Sequence, residues 1–201
     1  MISRLFSTVL ALAAALPGAE ASRPAPEYAV KLPSGQQLLL SQFRGKVVAL
    51  EFLLTTCPAC QDASRVMNQL HKEYGPRGFQ PLGVAINEMA MMLVPDYVRD
   101  LQLGFPVGVG TRESCLDFLR HSAVLRMMMP QLVLIDRKGV IRGQYAGDDP
   151  FMKDKEKSLR AQVEALLNET AGAAGARKAK TPARSKTPSR AASTGPAGSV
   201  Q

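Results

Sequence analysis

The chain has 201 residues, enough for one ordinary domain with length left over at its ends. Its formal charge is +8, but six cations (Arg177, Lys178, Lys180, Arg184, Lys186 and Arg190) fall within residues 171–201, and 8 − 6 leaves only +2 for the rest. The basic character therefore belongs to the C-terminal segment, gives no support to a nucleic-acid-binding domain, and leaves three cysteines and no tryptophan as the compositional features to explain.

The first 21 residues have the layout of a secretory signal peptide. Arg4 supplies the positive start, Leu5 to Leu16 an apolar run, Pro17–Gly18 a break, and Ala19–Glu20–Ala21 the small residues of a cleavage site after Ala21. The apolar run is 12 residues, short of the roughly 20 a membrane-spanning helix needs. Export, with the periplasm as destination, places the cysteines in an oxidising compartment where a pair persists as a disulfide.

Residues 27–41 read as two short strands around the turn Pro33–Ser34–Gly35. The run VVALEFLL (47–54) is a buried central strand that ends directly before Thr55–Thr56–Cys57. From Pro58 the period becomes helical, with Ala63, Val66, Met67, Leu70 and Tyr74 on one face, until Gly75–Pro76 stops it. A second apolar strand covers residues 79–86. A helix of one or two turns follows around Pro95 to Leu101, then a short strand at Phe105 to Val109 and a helix at Arg112 to Leu119. Gln131 to Asp136 and Val140 to Tyr145 form an antiparallel pair around Arg137–Lys138–Gly139. A helix from Phe151 to Asn168 closes the domain, with Leu159, Val163, Leu166 and Leu167 on its apolar face.

This order predicts an α/β domain over residues 22–170, a mixed central sheet with helices on both faces. No repeat of 20–50 residues recurs. Residues 171–201 have no acid and no aromatic residue. They cannot bury enough surface to offset the entropy of ordering them, and are expected to form a disordered, solubilising tail. Contact with anionic surfaces is the alternative use of its cations.

Cys57 and Cys60 are two apart, with Pro58 and Ala59 between them. Such a spacing serves a redox pair, half of a metal site or a staple. A zinc site needs two further soft ligands, and Cys115, His71 and His121 supply no matching spacing, so no metal is expected. A disulfide over so short a loop stabilises little. Placement after a buried strand and at a helix start, where unpaired N–H groups favour an anion, supports redox chemistry without a further cofactor.

At these residues the chain resembles the TlpA/ResA-like branch of the thioredoxin superfamily. VVALEFLLTTCPAC and, about 70 residues on, MPQLVLIDRKGVIRGQYAG carry the resemblance, which covers roughly Glu27 to Asn168. It implies a thioredoxin fold with an added N-terminal β-hairpin, at residues 27–41, and a thiol–disulfide oxidoreductase acting on protein thiols and disulfides, re-reduced by a membrane or periplasmic thiol protein. Cys57 would attack and Cys60 resolve. Pro130 would follow a cis bond and leave the backbone of Met129 to pair with a substrate strand. Thr56, Pro58 and Ala59 would border the substrate. Glu51, six positions before Cys57, would be the buried acid that exchanges a proton with Cys60.

The chain departs from the branch at Thr56, where relatives carry Trp, and at Met127–Met128–Met129, where smaller or polar residues are usual. Met89, Met91, Met92 and Met127 to Met129 suit an adaptable apolar groove for a protein substrate, ordinary core filling, or, with the cysteines and His121, a Cu(I)-binding assembly module. A thiol peroxidase is a further alternative. It calls for Thr three residues before the attacking cysteine and Pro seven before, where this chain has Leu54 and Leu50. Cys115 shares a helical face with Phe118 and Leu119 and reads as a buried, inert thiol, with a peroxidase-type resolving partner as its rival.

Overall fold

The structure, a computed structural model, describes residues 22–178. The expected signal peptide and residues 179–201 of the expected tail lie outside the described residues. Eight strands form one sheet: β1 (Arg23–Pro24), β2 (Ala29–Lys31), β3 (Gln37–Leu39), β4 (Val47–Leu53), β5 (Phe79–Ala85), β6 (Val107–Val109), β7 (Gln131–Ile135) and β8 (Val140–Ala146). Their spatial order is β1-β8-β7-β4-β5-β6-β2-β3. Central β4 pairs parallel with β5 and antiparallel with β7, and β5 pairs parallel with β6. The predicted mixed sheet and N-terminal hairpin are both present, the hairpin joining through the pairing of β2 with β6.

Strand β4 is buried at every position, so its alternation sorts residues between two covered faces. Val47, Ala49 and Leu53 enter one core layer with Met67, Leu70, Tyr97, Leu159 and Val163. Val48, Leu50 and Phe52 enter the other, with Tyr28, Cys115, Phe118 and Val133. The first layer is roofed by α1 (Pro58–Tyr74), α2 (Ala90–Asp100) and α4 (Lys155–Lys178), the second by α3 (Arg112–Leu119) and the N-terminal segment. Tyr28, Phe52 and Phe118 meet there at ring separations of 5.3–5.6 Å, two of the three contacts edge-to-face.

Three elements differ from their predicted extents. Helix α2 starts at Ala90, upstream of the predicted Pro95, because Ala90, Val94 and Tyr97 form a face the core buries. Pro95 lies inside it, at the cost of one backbone donor. Strand β1 is too short to leave a pattern; it pairs with β8 at Arg23↔Ile141, and Arg23 donates to the Phe118 carbonyl at 2.9 Å. Helix α4 is preceded by a 3-10 turn at Pro150–Asp154 and its backbone continues to Lys178, into the stretch expected to be tail. Ala171, Ala173, Ala174 and Ala176 supply strong helix formers there.

Candidate active site

The register of the central strands decides what gathers at the C-terminal end of β4. Leu53 lies beside Ala85 of β5, and Phe52 opposite Gln131 of β7, which sets Pro130 level with Leu53. The segments after β4, after β5 and before β7 therefore converge on one rim of the sheet. The Met129–Pro130 bond on that rim is cis.

The turn out of β4 is fixed from both sides. Asn87, just past β5, accepts from the Thr55 N–H at 2.9 Å and donates to the Thr55 hydroxyl at 3.1 Å. Gln61 donates to the Thr55 carbonyl at 3.1 Å, and the Cys57 N–H donates to Leu54 O at 3.0 Å. Cys57 is then the N-cap of α1, extended at φ −84° and ψ 118°, with Pro58 as the first helical residue. Proline suits that position because its φ is preset and its missing N–H would have been unpaired.

The two thiols differ in exposure. Cys57 is half-buried and packs against the α1 side of the core, whereas Cys60, in the first turn, is fully buried. Thr56, Pro58 and Ala59 are exposed around Cys57, Met129 is half-buried and Pro130 is buried. Burial pushes the Cys60 thiol well up, and proximity to Cys57 and to the Glu51 charge adds to this, against the opposing backbone amide of Leu54. Cys60 is thus held as the protonated thiol.

Glu51 is the odd member of the row Val47, Ala49, Glu51, Leu53 that faces α1, and it is fully buried. Burial pushes its carboxyl up to about 8, even though the Ser64 hydroxyl donates to Oε2 at 2.6 Å and favours the ionised form. The sequence-predicted acid is therefore in the layer that holds Cys60, and it titrates in the range where proton exchange with a thiol is useful.

Several contributors leave little trace in the sequence. Ser64 gives one sign, a polar residue four after Cys60 on a stripe otherwise formed by Ala63 and Met67. Tyr97, whose hydroxyl lies 2.8 Å from Ser64 Oγ, sits in a helix that begins upstream of its predicted start. Asn87 has the sequence context of an ordinary loop residue. Gly147 donates its N–H to Met128 O at 3.1 Å, and a Cβ there would run into the Met129 carbonyl. Gln131 donates to the same Met128 carbonyl at 2.7 Å.

Cys115 lies in the opposite core layer, its thiol 3.9 Å from Met127 Sδ, and burial pushes it up to about 12. The methionines do not form one cluster: Met127 turns to Cys115, Met129 touches both layers, and Met89 and Met92 are exposed at the start of α2. Among the described residues, no group of three or more His, Cys, Asp or Glu side chains is gathered to hold a metal.

An accessible thiol capping a helix, with a second thiol buried one turn on and an acid behind it, is the arrangement thiol–disulfide exchange requires. On this fold it defines a thiol–disulfide oxidoreductase of the thioredoxin superfamily. The chain belongs to the AhpC/TSA family, whose model matches residues 21–144. It is 26% identical over 129 residues to the thiol-disulfide oxidoreductase ResA of Bacillus thuringiensis subsp. konkukian, covering 64% of this chain and 71% of that protein. It is 28% identical over 134 residues to the thioredoxin-like protein YneN of Bacillus subtilis, covering 65% and 74%. Among solved structures, the thiol:disulfide interchange protein of the thioredoxin family from Chlorobium tepidum TLS superposes with a TM-score of 0.60 at 25% identity, covering 74% of this chain and 98% of that one.

Proposed function

We propose that the protein is an exported, periplasmic oxidoreductase that reduces or isomerises disulfides in protein substrates through Cys57 and Cys60. The observation that carries this reading is the half-exposed Cys57 at the N-cap of α1 with Cys60 buried one turn behind it. Cys57, as thiolate, attacks one sulfur of the substrate disulfide, and the other substrate sulfur leaves and takes up a proton. Cys60 then gives its proton to Glu51 and attacks the Cys57 sulfur. The second substrate thiol departs, and the two electrons of the pair have passed to the substrate. A membrane or periplasmic thiol protein returns the Cys57–Cys60 disulfide to dithiol.

Thr56, Pro58, Ala59 and Met129 form the surface on which the substrate lies, and Pro130 closes that surface beside the pair. The Pro58–Ala59 dipeptide adds no charge between the two thiols. The signal-peptide layout of residues 1–21 supports export. Expressing Cys60→Ser in the periplasm tests the proposal. Substrate proteins should accumulate as mixed disulfides on Cys57 and disappear in the Cys57→Ser, Cys60→Ser double variant. If no mixed disulfide forms on Cys57, the proposal fails.

A further inference from the structure

Glu51 is not the end of the polar path beneath the pair. Its Oε2 accepts from Ser64 Oγ at 2.6 Å, and Ser64 Oγ lies 2.8 Å from the Tyr97 hydroxyl. Its Oε1 has no hydrogen-bond partner among the described residues. Tyr97 in turn lines a cleft of about 350 Å³ that opens beside Thr56, Gln61, Arg65, Asp96 and Leu101. A ladder of two hydroxyls thus leads from the carboxyl in the Cys60 layer to Tyr97, one of the residues that line this cleft next to the redox motif. Both hydroxyls are buried where Ala or Phe would fill the same space without a polar atom to satisfy.

We propose that Ser64 and Tyr97 are positioning residues for the resolving step: they hold Glu51 with one oxygen open to Cys60 and conduct its proton to the cleft. The proposal rests on the thiol-exchange reading above. With Glu51 ionised, Tyr97 donates to Ser64 and Ser64 to Oε2. After Cys60 has given up its proton and its sulfur has bonded to Cys57, a half-turn of the carboxyl presents its O–H to Ser64. The ladder then reverses: Glu51 donates to Ser64, Ser64 to Tyr97, and Tyr97 releases one proton to solvent in the cleft. One proton leaves Cys60 and one reaches solvent, so the ladder ends unchanged.

The titratable groups set against Glu51 are Cys57 and Cys60 from α1 and Tyr97 from α2. Its sheet neighbours are Gly83 and Leu132, and α4 brings Leu159 and Val163 to the same layer. Burial and the Glu51 charge both push the Tyr97 phenol up, so it serves as a neutral conductor.

The test uses the full mature chain, reduced, mixed with the aryl disulfide dithiobis(nitrobenzoate). Attack by Cys57 releases a first coloured thiolate, and displacement by Cys60 releases a second, so stopped-flow absorbance resolves the two steps. The second phase rises with pH as Glu51 ionises. Losing the Ser64 bond makes the carboxylate harder to form, so Ser64→Ala should move that midpoint up by about one pH unit. Tyr97→Phe should move it up by about half as much on the same basis. Ser64→Thr, which keeps the hydroxyl, should restore it, and the first phase should be unchanged throughout. If the Tyr97→Phe protein has native circular dichroism and the wild-type midpoint, the ladder has no role and the proposal is overturned; this variant decides the matter even where Ser64→Ala fails to fold. A second phase that survives Cys60→Ser would instead overturn the exchange reading itself, and the ladder's role with it.

Discussion

Asn87 holds Thr55 by two reciprocal hydrogen bonds, accepting from its N–H at 2.9 Å and donating to its hydroxyl at 3.1 Å across the ends of two parallel strands. Thr55 is largely buried, and removing Asn87 takes the partner from both groups. Asn87→Ala should cost about 1–3 kcal/mol, the range for leaving buried polar groups unpaired. Urea unfolding measures this. Disulfide exchange should slow as well, because the turn that presents Cys57 loses its anchor. Asn87→Asp keeps the acceptor alone and should fall between the two.

Glu51 should make the reduced protein less stable as pH rises. Its folded value is about 8 against 4.5 for an unperturbed carboxyl. Between those values the folded chain holds a proton that the unfolded chain has released, so stability declines across that window and levels off above it. The loss from this group is roughly 4–5 kcal/mol, because each pH unit crossed within the window removes about 1.36 kcal/mol. Glu51→Gln has no proton to lose. Its urea midpoint should lack this decline, and should exceed that of the wild type at the alkaline end. A wild-type profile that matches the variant's would show that the carboxyl ionises freely in the fold.

Cys115 should be silent in exchange. Cys115→Ala should leave both phases of thiolate release unchanged and cost about 1–2 kcal/mol for lost packing. Iodoacetamide should label Cys57 in the native protein and reach Cys115 only after unfolding. Early labelling of Cys115, read by peptide mass, would contradict its burial.

Gly147 should tolerate no side chain. Any Cβ meets the Met129 carbonyl, and this is backbone that cannot swing aside. Gly147→Ala should lower stability by about 2 kcal/mol or more and slow exchange by displacing Met129. Thermal unfolding and the same two-phase assay read both effects.

The parts of this site that are legible in the sequence are local. Cys57 at a strand end, Pro58 at a helix start and Glu51 within an unbroken apolar run each declare their surroundings through adjacent residues. Pro130 is legible only through resemblance, because a proline before a strand looks the same whichever way its peptide bond is set. Partners brought together by strand register, such as Thr55 with Asn87 or Met129 with Gly147, leave no periodic signal, since neither residue's neighbours announce the other. Tyr97 is hidden for a different reason: Pro95 has the signature of a helix start, although burial of Ala90, Val94 and Tyr97 outweighs one missing backbone donor. Thr56 leaves an exposed surface beside Cys57.

The central sheet also acts as a partition. Three cysteines admit more than one pairing, and a chain oxidised at random would become a mixture. Here Cys60, with Cys57 packed beside it, belongs to one layer and Cys115 to the other, with β4 and its neighbours between them. A bond from Cys60 to Cys115 would have to pass through a hydrogen-bonded wall. The fold therefore sets Cys60 beside Cys57 and keeps it from Cys115.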